Sequence, residues 1–346
     1  RGEVVAQIVT GGNKLQAFNT VLEVPAMEVP SFRFQLAKQE NLERNFLIEV
    51  WGGIGDVICA EPAVRWGCKN YFPDHKISLE TWYPDFFNHL PLTKVYDTAL
   101  EQADKSKYWS MKSIYTNETL HWEFIGYAVT QRVDYCSLAL WRRQLPVADR
   151  CIELHPTPEQ MEKTRALIPK KGCVAIHPGQ SWPSRTMSPE WWNKVVSLIR
   201  EKGVEVLVIG KNMGDYRSTV AIDPTDCIDL RNHLSVMESV ALLQQVPCFL
   251  TNDSSPHHMA ASGKAWIGFL STVNHPDHLT HWRNGGEWGW RMKNFAKGGM
   301  WQLKPLLITE EKAVTMNEVE KTQLESWLPE PMEIATWAVE KSKCEI

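Results

Sequence analysis

No apolar run in this 346-residue chain approaches the roughly 18 residues that a membrane span needs. Arg1-Gly2-Glu3-Val4-Val5 lacks the apolar stretch of a signal peptide, so a membrane partner would be met at the surface and not through a span. The eight cysteines (59, 68, 136, 151, 173, 227, 248 and 344) never fall at Cys-x-x-Cys spacing, which removes the common zinc and dithiol frames. Several sit in apolar stretches, as Cys173 does before Val174-Ala175-Ile176. They read as reduced core thiols of a cytoplasmic protein, and no metal site is expected. Charge of one sign is also scarce. The formal net charge is −4, so an anionic partner must be held by a local patch. What is plentiful is ordinary core material: 43% of residues are hydrophobic against 23% charged, which speaks against wholesale disorder. The length suits two domains.

Residues 1–44 read as an extension: Glu3 to Val9 and Leu15 to Val24 flank the glycine turn Thr10-Gly11-Gly12-Asn13, a hairpin pattern. From Phe46 the pattern alternates. Phe46 to Val50 reads as a strand, Asp56 to Asn70 as a helix, Ile77 to Trp82 and Thr93 to Tyr96 as strands, and His121 to Val133 as a helix. The second half repeats this with strands at 173–176, 204–209, 248–250 and 265–269 and helices at 189–201, 235–245 and 256–262. Strands alternating with helices imply parallel sheets. The expected division is 1–44, 45–156, 157–330 and 331–346, broken at His155-Pro156-Thr157-Pro158. The last piece is a helix expected to pack back across the domains.

Three loops carry chemistry, each at the carboxyl end of a strand, where open α/β sheets bind ligands. The first is Gly52-Gly53-Ile54-Gly55-Asp56, which has neither the full dinucleotide glycine pattern nor a Walker lysine. Asp56 reads equally as a helix cap or as a carboxylate that takes a proton from an acceptor hydroxyl. The second runs from His177-Pro178-Gly179-Gln180-Ser181 to Arg185, whose planar guanidinium suits phosphate. The third is Asn252-Asp253-Ser254-Ser255-Pro256-His257-His258. There proline opens a helix whose N–H groups, with the serine hydroxyls, suit a diphosphate. Plain capping by Asp253 or Ser255 satisfies the same pattern, and paired histidines in a helix are more often packed than catalytic.

In order and together, the loops resemble glycosyltransferase family nine, the lipopolysaccharide heptosyltransferases. Gly55-Asp56-Val57 through Ala60-Glu61-Pro62-Ala63-Val64-Arg65 is similar to that family's opening. His177-Pro178-Gly179 with Arg185 and Ser188-Pro189-Glu190 is similar to its phosphate loop, and Asn252 to Ala261 to its Asn-Asp-Ser/Thr-Gly-Pro-x-His-Leu-Ala-Ala signature. The resemblance covers roughly residues 46–272. It implies the GT-B fold, two Rossmann-like domains whose parallel sheets face a central cleft, with inverting, metal-independent transfer from a nucleotide-diphosphate sugar of the ADP-heptose type. That co-substrate stands in place of any cofactor. It further implies Asp56 as general base and Arg185 on the leaving diphosphate. Gly53, Gly55, His177, Gly179, Ser181, Gly210, Asp253, Ser254, Ser255 and His258 are then expected around the donor. Ser255 departs from the family's glycine. The chain has no Asp-x-Asp, in keeping with cationic side chains in place of a divalent ion.

The acceptor is expected to be a glycan or glycolipid hydroxyl. Residues 281–305 hold Arg283, Arg291, Lys293, Lys297 and Lys304 against Glu287 alone, interleaved with Trp282, Trp288, Trp290 and Trp301. The favoured reading is a surface loop whose tryptophans fold onto the core. The sharper one is a lid or platform for an anionic, stackable acceptor, which makes a hydroxymethylated base in DNA the alternative acceptor. A non-catalytic nucleotide-sugar binder is the third alternative. A nicotinamide dehydrogenase is disfavoured by the incomplete glycine pattern.

Overall fold

The apolar run at 46–50 and its counterpart at 173–176 each become the inner strand of a parallel sheet in a computed structural model, which describes residues 45–70, 76–115, 132–141, 143–180, 183–211, 219–283, 287–302 and 321–344. The expected hairpin, Ser181 and residues 121–131 of the expected helix lie outside these residues. In the first sheet β1 (Asn45–Trp51) is followed by α1 (Ile54–Asn70), β2 (Lys76–Thr81), β3 (Lys94–Asp97), β4 (Ser110–Tyr115) and α2 (Arg132–Trp141). The strand order is β3-β2-β1-β4, with Phe46 opposite Ile77 on one side and Ser110 on the other, all parallel. Strand β4 went unforeseen because Ser110, Lys112 and Ser113 break its apolar run. It nonetheless brings Ile114 into the core.

The second half opens with α3 (Pro158–Arg165), β5 (Cys173–His177), α4 (Pro189–Arg200), β6 (Glu205–Val208), β7 (Ile228–Asp229), α5 (Val236–Gln245) and β8 (Cys248–Asn252). It continues with α6 (Ser255–Ala261), β9 (Trp266–Leu270), α7 (Pro276–Leu279), β10 (Trp282–Arg283), β11 (Glu287–Trp288), β12 (Met292–Asn294), α8 (Lys321–Trp327) and α9 (Pro331–Lys341). Six of these strands form one parallel sheet, ordered β12-β9-β8-β5-β6-β7. Both faces of β5 are covered, which is why it reads as a continuous apolar run. Val174 and Ile176 pack with Trp192, Val195 and Ile199 of α4. Cys173 and Ala175 pack with Val240 and Leu243 of α5. That second cluster runs on through Ile152 and Leu154 to Phe46 and Val64 of the first half.

Two expectations change. The prolines at 156 and 158 do not merely interrupt the chain: Thr157 and Gln160 form a reciprocal capping box that starts α3 at Pro158. The last helix packs within the second half. Among the described residues its main contacts are with α4, β8 and β9, where Ile334, Ala335 and Ala338 complete the cluster around Trp192.

Helices α1 and α2 approach closely because Gly67 has no side chain. Trp141 of α2 lies over it and donates its indole N–H to the carbonyl of Ala63 at 2.7 Å. A Cβ at Gly67 would fall inside the Trp141 ring. Exchanging a helical glycine for alanine ordinarily stabilises by about 1 kcal/mol. Here Gly67→Ala is expected to destabilise, by about 1–3 kcal/mol for an overpacked contact, read from the midpoint of urea unfolding. A raised midpoint would contradict the contact.

Candidate functional site

The loop after β1 turns at Gly52, whose φ of 141° lies where side chains other than glycine's are strained. Helix α1 then begins, and Asp56 faces two ways. Asp56 is the third residue of α1 and not its N-cap: its Oδ2 reaches back to accept the backbone N–H of Gly53, the residue before the helix, at 3.1 Å, the role of the N3 side chain in a capping box. Its Oδ1 is paired with the guanidinium of Arg132, in the first turn of α2. Asp56 thus ties the start of α1 to α2 through its two oxygens.

In the second half, β5 ends at His177, whose Nδ1 lies 3.1 Å from the Ser254 hydroxyl. Burial pushes His177 down to about 4, so it is neutral at physiological pH. The chain passes close to it twice. A Cβ on Gly179 would meet Asn252 Oδ1 at 2.7 Å and the His177 ring at 2.8 Å. Gly210, at φ 120°, leaves room only for Thr219 and the same ring. Asn252 holds the loop shut by donating its amide to the carbonyls of Gly179, at 2.8 Å, and Arg185, at 2.7 Å.

Arg185 reaches Asp253 Oδ2 at 3.3 Å, and Asn274 donates to the same oxygen. Burial would raise the Asp253 carboxyl, but Arg185, Arg132 and the Asn274 amide outweigh it and hold it below the usual carboxylate range. Arg132 is likewise opposed by burial, yet the carboxylates of Asp56 and Asp253 keep its guanidinium firmly charged. Asp56, Arg132, Asp253 and Arg185 thus form one electrostatic neighbourhood drawn from both halves.

The remaining candidates are nearby but less exposed. Ser254 occupies the cap position of α6 without a side-chain capping bond, and its hydroxyl turns to Thr251 at 3.1 Å. The halves meet at Gly55, where a Cβ would lie 2.8 Å from the His258 ring and 3.4 Å from Ser255 Cα. His258 itself is buried. Its Nδ1 is 3.5 Å from Cys59 Sγ and 2.8 Å from His281 Nε2, so it faces the interior. His257 is packed too, against Phe269 and the Leu279 carbonyl. Gly53 stays exposed at the rim.

The described part of 281–305 folds onto the core rather than forming a platform. Arg283 is buried and bonded to the carbonyls of Ala260, Gly263 and Ala265. Arg291 bonds to the Lys264 carbonyl at 2.8 Å and lies over Trp290, and Lys293 lies over Phe295. Trp301 donates to the Ser271 carbonyl. Strand β12, inside this segment, joins the sheet beside β9. With its cations stacked on aromatics and backbone in this way, the segment gives no support to a DNA strand. Arg132 and Asn274 are not singled out by the sequence, and Asn252 appears there only as the first residue of the third loop, with no role of its own. Arg132 sits in no motif and is brought to Asp56 only by the packing of α2 on α1.

The lowered carboxyl of Asp253 has a pH consequence. The folded chain binds that proton more weakly than the unfolded chain, so the group stabilises fully above the ordinary aspartate value, about 3.9. The contribution is lost as pH falls through the folded value. Asp253→Asn should therefore be destabilised at pH 7 and show a smaller difference from the unsubstituted chain in acid. A constant difference from pH 7 to pH 3 would contradict the assignment.

Residues 103–268 match the family described as glycosyltransferase family 9 (heptosyltransferase). No curated protein sequence matches the chain significantly. Among solved structures, the glycosyl transferase family 9 protein from Veillonella parvula superposes with a TM-score of 0.53 at 13% identity, over 82% of this chain and 97% of that one. The iron-containing dodecameric glycosyltransferase TibC from enterotoxigenic E. coli gives 0.53 at 13% identity, over 88% and 81%. TibC in complex with ADP-D-beta-D-heptose gives 0.51 at 12%, over 86% and 77%. At such identities these likenesses speak for the fold, two parallel α/β sheets of the GT-B kind. Taken with the match over residues 103–268, they make the chain similar to the glycosyltransferases of family 9.

Proposed function

We propose that the chain transfers a sugar from a nucleoside-diphosphate sugar of the ADP-heptose class to a hydroxyl of a glycan or glycolipid, with inversion at the anomeric carbon. Asp56 takes the acceptor's proton as its oxygen attacks the anomeric carbon. The bond from that carbon to the diphosphate breaks, and Arg185 neutralises the nucleoside diphosphate that leaves, in place of a divalent ion. The observation that carries this reading is the shared neighbourhood of Asp56, Arg132, Asp253 and Arg185. It has two carboxylates and two guanidiniums where the loops of two parallel sheets meet.

Gly53, Gly55, His177, Gly179, Ser181, Gly210, Ser254 and Ser255 would line the donor side, with residues 45–156 as the acceptor domain and 157–330 as the donor domain. His258 would support that site from beneath. All eight cysteines are free, which fits the reducing cytoplasm in which nucleotide sugars are used. No helix among the described residues is long and apolar enough to cross a membrane.

Asp56→Asn keeps a side chain that can cap α1 but cannot act as the base. With a donor and acceptor that support turnover, kcat is expected to fall by roughly 10²–10⁴-fold while donor binding is little changed. Near-normal turnover would reduce Asp56 to its capping role.

A further inference from the structure

Three polar side chains meet in the dry contact between the two halves, beneath the groups assigned above. Cys59 comes from α1, His258 from α6 and His281 from the residue before β10, and all three are buried. Cys59 Sγ lies 3.5 Å from His258 Nδ1, which lies 2.8 Å from His281 Nε2. One donor atom from each residue falls within 4.8 Å of the other two. The two imidazoles meet edge to face at 78°, so both can direct a ring nitrogen to one point.

As hydrogen bonds alone, this triad does not close. His258 Nδ1 carries either a lone pair or a proton. If it carries a lone pair, the Cys59 thiol and the His281 N–H compete for one acceptor. If it carries a proton, Cys59 Sγ and His281 Nε2 compete for one donor. Either way the two imidazole nitrogens satisfy each other, and the Cys59 thiol, a weak donor and acceptor, is the group left over. Among the described residues His281 Nδ1 has no partner either.

A cation that accepts a lone pair from each removes the conflict. With a metal–sulfur bond of about 2.3 Å and metal–nitrogen bonds of about 2.0–2.1 Å, a tetrahedral ion spaces sulfur and nitrogen by about 3.5 Å and two nitrogens by about 3.3 Å. The Cys59–His258 spacing is already present, and a donor atom of His281 lies within 4.8 Å of the Cys59 sulfur. The nitrogen–nitrogen pair needs to open by about half an ångström, within reach of a small ring rotation.

We propose that Cys59, His258 and His281 form a buried site for a divalent ion of the zinc type, tying α1 of the first half to α6 and residue 281 of the second. Thiolate with imidazole selects zinc or cobalt over magnesium or calcium. One metal–sulfur and two metal–nitrogen bonds form, the thiol proton leaves to solvent, and no oxidation state changes. The histidines enter neutral, as burial already keeps them. The fourth position is not filled by this triad. The site goes beyond the proposed transfer reaction and does not depend on it, since the ion sits under the loops and replaces none of the diphosphate's partners. Cys-x-x-Cys reasoning could not find it, because its ligands are spread over three distant segments.

The test uses the full chain expressed in cobalt-supplemented medium, so that the ion can enter as the chain folds. One cobalt per chain is expected, with visible bands of tetrahedral intensity and a thiolate-to-cobalt charge-transfer band. Cys59→Ser should abolish the charge-transfer band, and His281→Gln should lower bound cobalt at least tenfold while the fold, read by circular dichroism, persists. Should Cys59→Ser fail to fold, His281→Gln decides alone through its metal content. A chain that binds no cobalt, or one whose charge-transfer band and stoichiometry survive in the variants, overturns the proposal.

Discussion

A guanidinium set between two carboxylates governs the arrangement around it. Arg132 is paired directly with Asp56 of the first half and lies in the field of Asp253 of the second. Removing charges from water is expensive unless each is matched, and here two carboxylates are matched by two guanidiniums, Arg132 and Arg185. The balance holds without a ligand. On the proposed function, an incoming diphosphate would share Arg185 with Asp253, coupling donor binding to the internal ion pair through one side chain. A cation that already has a resident partner is held in place before the ligand arrives, which limits the ordering cost of binding.

The loops that hold these charges are rigid for reasons of space. Gly179 and Gly210 let the backbone close on both sides of His177, and Asn252 ties the carbonyls of residues 179 and 185 together. His177 is neutral and bonded to Ser254, which makes it a strut and not an acid. The same reasoning applies to His257, and to Arg283, whose two terminal nitrogens donate to three carbonyls and whose guanidinium is pushed down to about 10 by burial. Polar residues in this half are largely structural. The residues left for chemistry are those at the ends of the strands.

Much of this was legible in the sequence. Apolar runs buried on both faces, such as Cys173–Ile176, announce parallel strands, and Ser235 with Glu238 announces the start of α5 as a capping box does. The three loops could be placed at strand ends because ligand loops and strand ends coincide in such sheets. What stayed hidden depends on contacts between distant segments. Arg132 has no local signature, and its role exists only because α2 packs on α1. Strand β4 is stabilised by pairing with β1 despite a polar alternation. For the cationic tryptophan-rich stretch the sequence favours a loop folded onto the core and leaves a platform for an anion as the alternative. Arg283, Arg291 and Lys293 lie on neighbouring rings and carbonyls, which composition cannot reveal.

The central claim is that Arg185 and the loops beside it receive a nucleoside diphosphate. Calorimetric titration of the unsubstituted chain and of Arg185→Ala, each with ADP and with adenosine, tests it without knowledge of the acceptor. Charge-assisted bonds to phosphate are worth about 1.5–3 kcal/mol each. The account therefore predicts that ADP binds at least tenfold more tightly than adenosine, and that Arg185→Ala removes most of this advantage while leaving adenosine unchanged. Equal binding of the two ligands, or an ADP preference that survives in Arg185→Ala, would contradict it.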